Sequence, residues 1–413
     1  MTERERCAGW LVLKGTILDG SGREPFSGYV TVDQGRIASV FPEEEAPVEV
    51  MSQLDSTDAQ VLDFGNAYLT PGLIDIHLHG GAGADVMDGS ADSLIRMLRY
   101  YLAHGTTSIL ATTLTASKPD IDRALAAAFS VQQTERIGQV IQGVHLEGPF
   151  LSPKWPGAQH PQWICNPQTG WLREWTARFP GFIRMLTLAP ELEGAEEAIA
   201  YALEQNIIAA CGHSDATYDQ VRTAIGWGIS HAVHCCNAMR PFHHREPGVV
   251  GAVLLHDELS TEINVDGYHL HPAAVELILR LKQHRVCLIT DSMRAAGMTD
   301  GFYHLAGLEV HVKQGAARFA DGTIAGSTIP LVQSVRNLVQ KNGKSLPEAV
   351  KHATSIPAGI VKLNNKGLLK AGYDADLVVL EPEGLQVKRV MLGGDWYDPE
   401  THDFAYISRR GLL

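Results

Sequence analysis

From residue 73 to residue 291 the chain alternates short apolar runs with longer amphipathic stretches. The apolar runs are Leu73–His79, Thr107–Thr113, Val140–Glu147, Phe182–Pro190, Asn206–His213, Ile229–His234, Ser260–Asp266 and Arg285–Asp291. The stretches with helical periodicity include Ala91–His104, Asp120–Gln133, Gly194–Gln205 and Pro272–His284. Because near-continuous apolar strands alternating with helices are typical of a parallel sheet covered on both faces, this pattern predicts an α/β fold. Eight such units over about 220 residues predict a (β/α)8 TIM-like barrel.

Short β segments occupy both ends of the chain. They lie before residue 68, with turn signals at Asp19-Gly20 and Gln34-Gly35, and they return after residue 364. We therefore expect one small β-sandwich domain built from residues 1–68 and 365–413, and a catalytic barrel formed by residues 69–364. Residues 42–60 are acidic and rich in turn formers, which predicts a surface loop.

The composition is that of an ordinary globular protein, with 45% hydrophobic and 20% charged residues. A formal net charge of −13 disfavours a nucleic acid or an anionic membrane as the partner. No apolar run reaches the roughly 18 residues of a membrane span, and no apolar leader follows the charged N-terminus. The six cysteines, among them Cys7, form no Cys-x-x-Cys pair, which disfavours a zinc knuckle. We expect a cytoplasmic enzyme.

Histidines and carboxylates stand at the ends of five predicted strands. In chain order the residues that we consider ligands or acids are His77, His79, Glu147, His213, His234 and Asp291. The carboxyl ends of barrel strands meet at one rim, where barrel enzymes place their active sites. One histidine at a strand end is more often a hydrogen-bonded structural residue, but side chains from five strands at one rim predict a divalent metal site.

The chain also resembles a known family over nearly its whole length. The run Pro71–His79, the later isolated histidines and Asp291 are similar to the amidohydrolase superfamily. Glu147-Gly-Pro and Asn237-Ala-Met, which follow in the same order, resemble the N-acetylglucosamine-6-phosphate deacetylases within that superfamily. The resemblance implies metal-dependent hydrolysis of the acetamide of N-acetylglucosamine 6-phosphate to glucosamine 6-phosphate and acetate, in amino-sugar catabolism or recycling.

The resemblance implies a metal centre with one or two ions per subunit. Glu147, His213 and His234 would bind the principal ion, and His77 and His79 would bind a second ion bridged by Glu147. Many amidohydrolases use a modified lysine from strand 4 as the bridge, but strand 4 of this chain has no lysine. The metal would be Zn²⁺, with Fe, Mn or Co as alternatives.

The same resemblance assigns the proton carrier and the acetyl contact. Asp291 would take a proton from the attacking water and give it to the departing amine. Family members often carry a histidine after Gly-Ala at the acetyl group, whereas this chain has Gln159 and then His160 after Gly157-Ala. Either Gln159 or His160 would take that role.

Four residues would bind the sugar phosphate by the resemblance. Asn237 and the backbone N–H of Ala238 would lie near the phosphate, and His269 would contact the sugar or the phosphate. Arg245 would bind the phosphate by its forked donors, and in the family this arginine can reach in from the neighbouring subunit of a homodimer. Without the resemblance, Arg245 belongs to a basic surface loop and His269 is a helix-capping residue.

Two rival readings remain open at this point. The enzymatic alternative is another amidohydrolase that acts on a cyclic amide or deaminates a base, and a pocket without phosphate contacts would favour it. The other class is a non-catalytic relative that serves in assembly. Loss of metal ligands or of the final aspartate would favour that class, and this sequence keeps both.

Overall fold

The computed structural model describes residues 11–46 and 60–405. Residues 1–10, 47–59 and 406–413 lie outside the described residues, and with them Cys7, most of the predicted surface loop and parts of the predicted small domain. Among the helices in the described ranges, none combines the length and the apolar character that crossing a membrane requires.

Strands and helices alternate through the middle of the chain. In chain order the strands are β1 (Leu11–Ile17), β2 (Phe26–Asp33), β3 (Arg36–Pro42), β4 (Gln60–Pro71), β5 (Leu73–Leu78), β6 (Gly80–Gly81), β7 (Ala84–Asp85), β8 (Thr106–Thr113), β9 (Ile141–Glu147), β10 (Ile183–Leu188), β11 (Ile208–Cys211), β12 (His231–Ala232), β13 (Ser260–Asn264), β14 (Val286–Ile289), β15 (Gly301–Leu305), β16 (Leu308–Lys313), β17 (Ala316–Arg318), β18 (Leu377–Leu380), β19 (Val387–Leu392), β20 (Asp395–Tyr397) and β21 (Phe404–Ala405). The α-helices are α1 (Ala91–Ala103), α2 (Lys118–Thr134), α3 (Thr169–Arg178), α4 (Ala195–Glu204), α5 (Tyr218–Trp227), α6 (Gly248–Leu255), α7 (Pro272–Lys282), α8 (Leu331–Asn342), α9 (Leu346–His352) and α10 (Ser355–Ile360).

The predicted barrel is confirmed. Strands β5 and β8 to β14 form one sheet in which each strand pairs with the next one along the chain, and the pairs from β8 to β14 are parallel. Every predicted apolar run coincides with one of these strands, and β8 begins one residue before its run. Main-chain hydrogen bonds link the residues just after β14 to the end of β5, from Asp291 N to His77 O at 2.8 Å and from His79 N to Ser292 O at 2.9 Å.

Burial explains why these strands read as apolar runs. Every residue of β5 and of β8 is buried, as expected for barrel strands that face side chains inside and helices outside. The four stretches with helical periodicity are also confirmed as α1, α2, α4 and α7. Helix α2 begins after Ser117, whose hydroxyl accepts a hydrogen bond from Asp120 N and so caps the helix.

A second sheet of eight strands combines the two ends of the described chain, in the order β21-β20-β19-β18-β4-β1-β2-β3. Its pairs are antiparallel except that β1 and β4 run parallel. Leu13, Leu69, Val379 and Met391 are fully buried in its core. This is the β unit that the sequence predicted from the two chain ends.

The chain divides into two compact units. The smaller unit ends its first stretch at Ile74, includes Leu102–Thr107 and resumes at Ser345, and the larger unit contains Asp75–Tyr101 and Ser108–Lys344. The boundaries expected from the sequence, at residues 68/69 and 364/365, stay a prediction.

A third, antiparallel sheet, formed by β15, β16 and β17 within the larger unit, was not predicted. It follows the last barrel strand and precedes α8. Its core consists of Leu305, Val310, Val312 and Ala317, which pack with Met293. In β16 buried and exposed residues alternate, as expected for a strand with one face on a core and the other in water.

Candidate metal centre

Glu147, at the end of β9, lies at the centre of a cluster of four imidazoles. Its Oε1 is 2.9 Å from His234 Nε2, 3.2 Å from His213 Nε2 and 3.3 Å from His77 Nε2. Its Oε2 is 3.3 Å from His79 Nε2. The five side chains are at most 5% exposed. The structure therefore brings all five predicted ligands together around one carboxylate.

In the first half of this cluster, main-chain carbonyls orient His213 and His234. His213 Nδ1 lies 3.0 Å from Trp155 O, and His234 Nδ1 lies 3.2 Å from Asn237 O. Because a carbonyl oxygen only accepts hydrogen bonds, each Nδ1 carries the proton and each Nε2 presents its lone pair. The two Nε2 atoms are 3.1 Å apart and both face Glu147. A cation among these three donor groups offsets their repulsion, so the residues fit a divalent metal.

In the second half, His77 and His79 project from one face of the chain at β5, two residues apart. His79 Nδ1 donates to Thr112 O at 3.2 Å, and His77 Nδ1 donates to Glu262 Oε2 at 2.8 Å. His77 Nε2 is buried and has no hydrogen-bond partner among the described residues. Since buried polar atoms are almost always satisfied, this nitrogen fits a ligand atom for a second ion beside Glu147.

The electrostatics of the cluster favour positive charge at its centre. Burial acts to lower the pKa of His77, but the carboxylates of Glu147 and Glu262 outweigh it and raise that pKa well above its ordinary value. Burial is likewise outweighed at His79, where Asp291 and Glu147 raise the pKa to about 9. Burial acts to raise the pKa of Glu147, yet its histidine neighbours, His77 foremost, hold it well below the ordinary value. The carboxylates stay ionised and attract a cation.

Asp291 borders the second half of the cluster. Its Oδ1 lies 3.2 Å from His79 Nε2 and 3.8 Å from His77 Nε2. Its Oδ2 faces His269 Nε2 at 3.9 Å, while His269 Nδ1 donates to Asp266 Oδ2 at 2.6 Å. Burial acts to lower the pKa of His269, but Asp266 raises it above the ordinary value. A positively polarised imidazole therefore stands beside the carboxylate that we expected to carry the proton.

The structure separates the two candidates for the acetyl contact. Gln159 is 3% exposed, and its Nε2 donates to Glu147 Oε2 at 2.6 Å while its Oε1 accepts from Thr115 N at 2.7 Å. His160 instead accepts a hydrogen bond from Gln162 N at 3.3 Å and caps a short 3-10 turn. Gln159, not His160, thus lies at the cluster around Glu147.

The residues predicted to bind the phosphate differ in whether they lie beside the cluster. Asn237 and Ala238 come three and four residues after His234, and the carbonyl of Asn237 orients the ring of His234. Arg245 is exposed, and its guanidinium lies 2.8 Å from His244 Nε2. Within the described part of the chain, no hydrogen bond or ion pair joins Arg245 to the cluster. The helix-capping role considered for His269 belongs to His271, whose side chain accepts from Ala273 N.

Two buried carboxylates near the cluster were missed by sequence reasoning. Glu262, in β13, is fully buried and accepts hydrogen bonds from His77 and from His231. Asp75, in β5, is fully buried as well, and it accepts from Thr290 Oγ1 at 2.6 Å. For Asp75 the available signal was a carboxylate within a mostly apolar strand, because such residues are rarely buried without a partner. Glu262 had no such signal, because its strand reads Ser-Thr-Glu-Ile-Asn.

His145 precedes Glu147 on β9 but does not join the ligands. Its Nε2 lies 2.7 Å from Thr187 Oγ1 and its Nδ1 lies 3.3 Å from Ile76 O. Burial, together with the neighbouring His77, lowers its pKa to about 3. His145 is therefore a neutral, hydrogen-bonded core residue.

Comparison with known proteins agrees with this geometry. The amidohydrolase family model matches residues 68–397. The chain is 38% identical over 379 residues to the N-acetylglucosamine-6-phosphate deacetylase of Lysinibacillus sphaericus, covering 92% of this chain and 95% of that protein. It is also 38% identical over 346 residues to the N-acetylgalactosamine-6-phosphate deacetylase of Escherichia coli O157:H7, covering 84% of this chain and 92% of that protein.

A solved structure of a relative is similar throughout. A mutant N-acetyl-D-glucosamine-6-phosphate deacetylase from Mycobacterium smegmatis, in complex with N-acetyl-D-glucosamine-6-phosphate, superposes with a TM-score of 0.85 at 36% identity. The match covers 94% of this chain and 99% of that one. The resemblance found in the sequence is confirmed, and the chain belongs to the amidohydrolase family, in the group that contains the N-acetylglucosamine-6-phosphate deacetylases.

Proposed function

We propose that this protein hydrolyses the acetamide of N-acetyl-D-glucosamine 6-phosphate to D-glucosamine 6-phosphate and acetate. The supporting observation is the buried cluster around Glu147, with Asp291 3.2 Å from His79, in a chain similar to enzymes named for this reaction. An amide is a weak electrophile and an amine is a poor leaving group. The site must therefore activate water, polarise the carbonyl and protonate the nitrogen.

We propose that two divalent ions share Glu147, with Zn²⁺ as the first choice and Fe, Mn or Co as alternatives. His213 and His234 would hold the first ion, and His77 and His79 the second. When bound, a divalent ion polarises a carbonyl oxygen and lowers the pKa of water to roughly 7 in favourable zinc sites. The buried imidazole and carboxylate donors support this choice of ions.

Asp291 is the proton carrier in this proposal. Burial acts to raise its pKa, but His79 and the neighbouring histidines lower it below the ordinary value, so the carboxylate is ionised and ready to accept a proton. It takes that proton from the attacking water. It then gives the proton to the amine nitrogen as the C–N bond breaks. His269, 3.9 Å from Asp291 Oδ2, stabilises the ionised form between turnovers.

Substrate contacts form the next part of the proposal. Gln159 contacts the acetyl group, since its side-chain amide already lies 2.6 Å from Glu147. Asn237 and the N–H of Ala238 bind the phosphate, because they sit on the loop that begins at the ligand His234. His269 contacts the sugar or the phosphate. These roles rest on placement and on the family resemblance together.

We propose a homodimer in which Arg245 completes the neighbouring site. Arg245 is exposed on the turn between His243 and Glu246, and the adjacent Phe242 is 58% exposed. An arginine beside an exposed aromatic ring is typical of interface anchors. Mixing Arg245→Ala with Asp291→Asn should then restore activity that neither variant has alone, because a mixed dimer contains one complete site. No recovery after subunit exchange would place Arg245 outside the neighbouring site.

A cytoplasmic location completes the proposal. The five cysteines in the described part of the chain are free, as expected in a reducing compartment.

The test of the proposed reaction is acetate release by the metal-replete protein from N-acetylglucosamine 6-phosphate, with unphosphorylated N-acetylglucosamine as the control. We expect turnover of the phosphorylated sugar and a much lower kcat/KM for the control. N-acetylgalactosamine 6-phosphate is the second candidate, because the Escherichia coli relative is named for it. Equal rates on the phosphorylated and unphosphorylated sugars would remove the phosphate from the proposal, and no acetate from any of the three would reject deacetylation.

A further inference from the structure

Glu262 contacts both halves of the metal centre without being a predicted ligand. Its Oε2 accepts hydrogen bonds from His77 Nδ1 at 2.8 Å and from the main-chain N–H of His234 at 3.1 Å. Its Oε1 accepts from His231 Nε2 at 3.1 Å. The side chain is 0% exposed. One buried carboxylate therefore joins β5, β12 and the loop after β12.

Three donors satisfy the buried carboxylate of Glu262: His77 Nδ1, His231 Nε2 and the main-chain N–H of His234. Burying a charge is costly unless it is paired and its lone pairs are satisfied, and three donors meet that condition here.

The contact with His77 determines which ring nitrogen faces Glu147. The oxygen that faces His77 Nδ1, Glu262 Oε2, also accepts from the main-chain N–H of His234 and so acts as the acceptor; His77 therefore carries its proton on Nδ1 and presents a free Nε2. His79, His213 and His234 are oriented differently, because their Nδ1 atoms donate to main-chain carbonyls. A carboxylate partner also makes an imidazole a stronger metal ligand than a carbonyl partner does.

We propose that Glu262 is a positioning residue that secures the second metal ion by fixing the tautomer and the basicity of His77. It does not touch substrate. Its bond to the N–H of His234 ties the first half to the same carboxylate, so a loss of Glu262 disturbs the second ion most and the first ion less. The inference rests on the proposed two-metal centre.

The test is zinc binding by Glu262→Gln, measured by equilibrium dialysis of the metal-stripped full chain. Glutamine keeps the shape of the side chain but removes its charge, and because its NH₂ group only donates, it leaves an acceptor for His77 or for His231 but not for both. We expect the second zinc ion to bind about 10–100-fold more weakly, as for other outer partners of metal-bound histidines, while the first ion stays bound. Raising the zinc concentration should restore the second ion, which a misfolded protein would not show.

His231→Gln is the matched control. It removes another donor to the same carboxylate but leaves the contact between Glu262 and His77, so it should still bind two zinc ions at wild-type affinity. If Glu262→Gln binds both ions as tightly as the wild type, the inference is wrong. If Glu262→Gln does not fold, Glu262→Asp decides, because its shortened carboxylate retracts from His77. Weaker binding of the second ion by that variant supports the inference, and wild-type binding overturns it.

The number of zinc ions that the wild type binds distinguishes a failure of this inference from a failure of the proposed reaction. A wild-type protein that binds two zinc ions but releases no acetate would reject deacetylation and leave the role of Glu262 open to the same measurement. A wild-type protein that releases acetate with only one bound ion would reject the role of Glu262 and keep the reaction.

Discussion

The two halves of the candidate metal centre share Glu147 but differ in the groups that orient their histidines. His213 and His234 follow their strands in left-handed backbone conformations, with φ of 48° and 27°, and main-chain carbonyls of the loops orient them. His77 lies in strand β5 and His79 just after its end, and a buried carboxylate orients His77. The first half thus depends on loop backbone, whereas the second depends on a network of buried side chains.

The two halves therefore differ in which changes would disturb their histidines. Backbone support depends on the conformation of the loops that carry Trp155 and Asn237. Side-chain support can be removed by one substitution, since Glu262 alone sets the tautomer of His77 among the described contacts. We therefore expect the second half to lose its ion more readily than the first half. Four substitutions test this expectation, from the largest expected effect to the smallest.

Glu147→Gln should have the largest effect, because both halves lose their shared carboxylate. We expect neither ion to be retained at stoichiometric zinc. Acetate release should fall by more than the roughly 10²–10⁴-fold that a lost proton carrier costs. Metal analysis after gel filtration checks the first point and an acetate assay the second. Retention of either ion at wild-type affinity would contradict a shared bridge.

Asp291→Asn should leave both ions bound and reduce kcat by about 10²–10⁴-fold, because the amide cannot accept the proton from water. The measurement pairs metal content with steady-state kinetics. Turnover within a few-fold of the wild type would mean that another group carries the proton.

His79→Asn should remove only the second ion, with a smaller loss of activity than Glu147→Gln. The matched variant is His213→Asn, which should lose the first ion and nearly all activity, because the principal site is then incomplete. Zinc titration of both metal-stripped variants distinguishes the halves. Loss of both ions from His79→Asn would show that the two halves are not separable.

Gly157→Ala should have the smallest effect and should act on the first half alone. An added Cβ would lie 3.0 Å from His213 Cε1 and 3.2 Å from Ala238 Cβ, at a φ of +55°. Gly181→Ala is the control, since its φ is +69° but its Cβ meets nothing within 4 Å. We expect each to lower the free energy of unfolding by about 1 kcal/mol through backbone strain, and only Gly157→Ala to weaken binding of the first ion. If Gly157→Ala and Gly181→Ala bind the first zinc ion equally tightly, the ring of His213 moves away from the added Cβ without affecting the site.

Much of the fold could be predicted because barrel strands are buried on both faces and therefore read as apolar runs. The sheet of β15 to β17 was not predicted, because its short strands lie outside that repeating pattern. Its one sequence signal was the alternation of apolar and polar residues within β16. The residues of the cluster around Glu147 could be selected from the sequence because they lie at or just after the ends of barrel strands. The sequence placed Gln159 and His160 side by side, and only the loop conformation decides which of them points at Glu147.

Other parts of the site depend on contacts that no local pattern specifies. Glu262 and Asp75 are buried carboxylates whose roles follow from partners distant in sequence, His77 for the first and Thr290 for the second. Arg245 is exposed within a single chain, so its proposed role depends on a second copy. Such roles come from packing between elements and not from periodicity or spacing.

The most direct test of the shared bridge is anomalous diffraction at the zinc edge from crystals of the metal-stripped protein soaked in zinc. We predict two peaks, one between Glu147, His213 and His234 and the other between Glu147, His77 and His79, with the second peak appearing at the higher zinc concentration. A single peak at saturating zinc, or a second peak away from Glu147, would contradict the account.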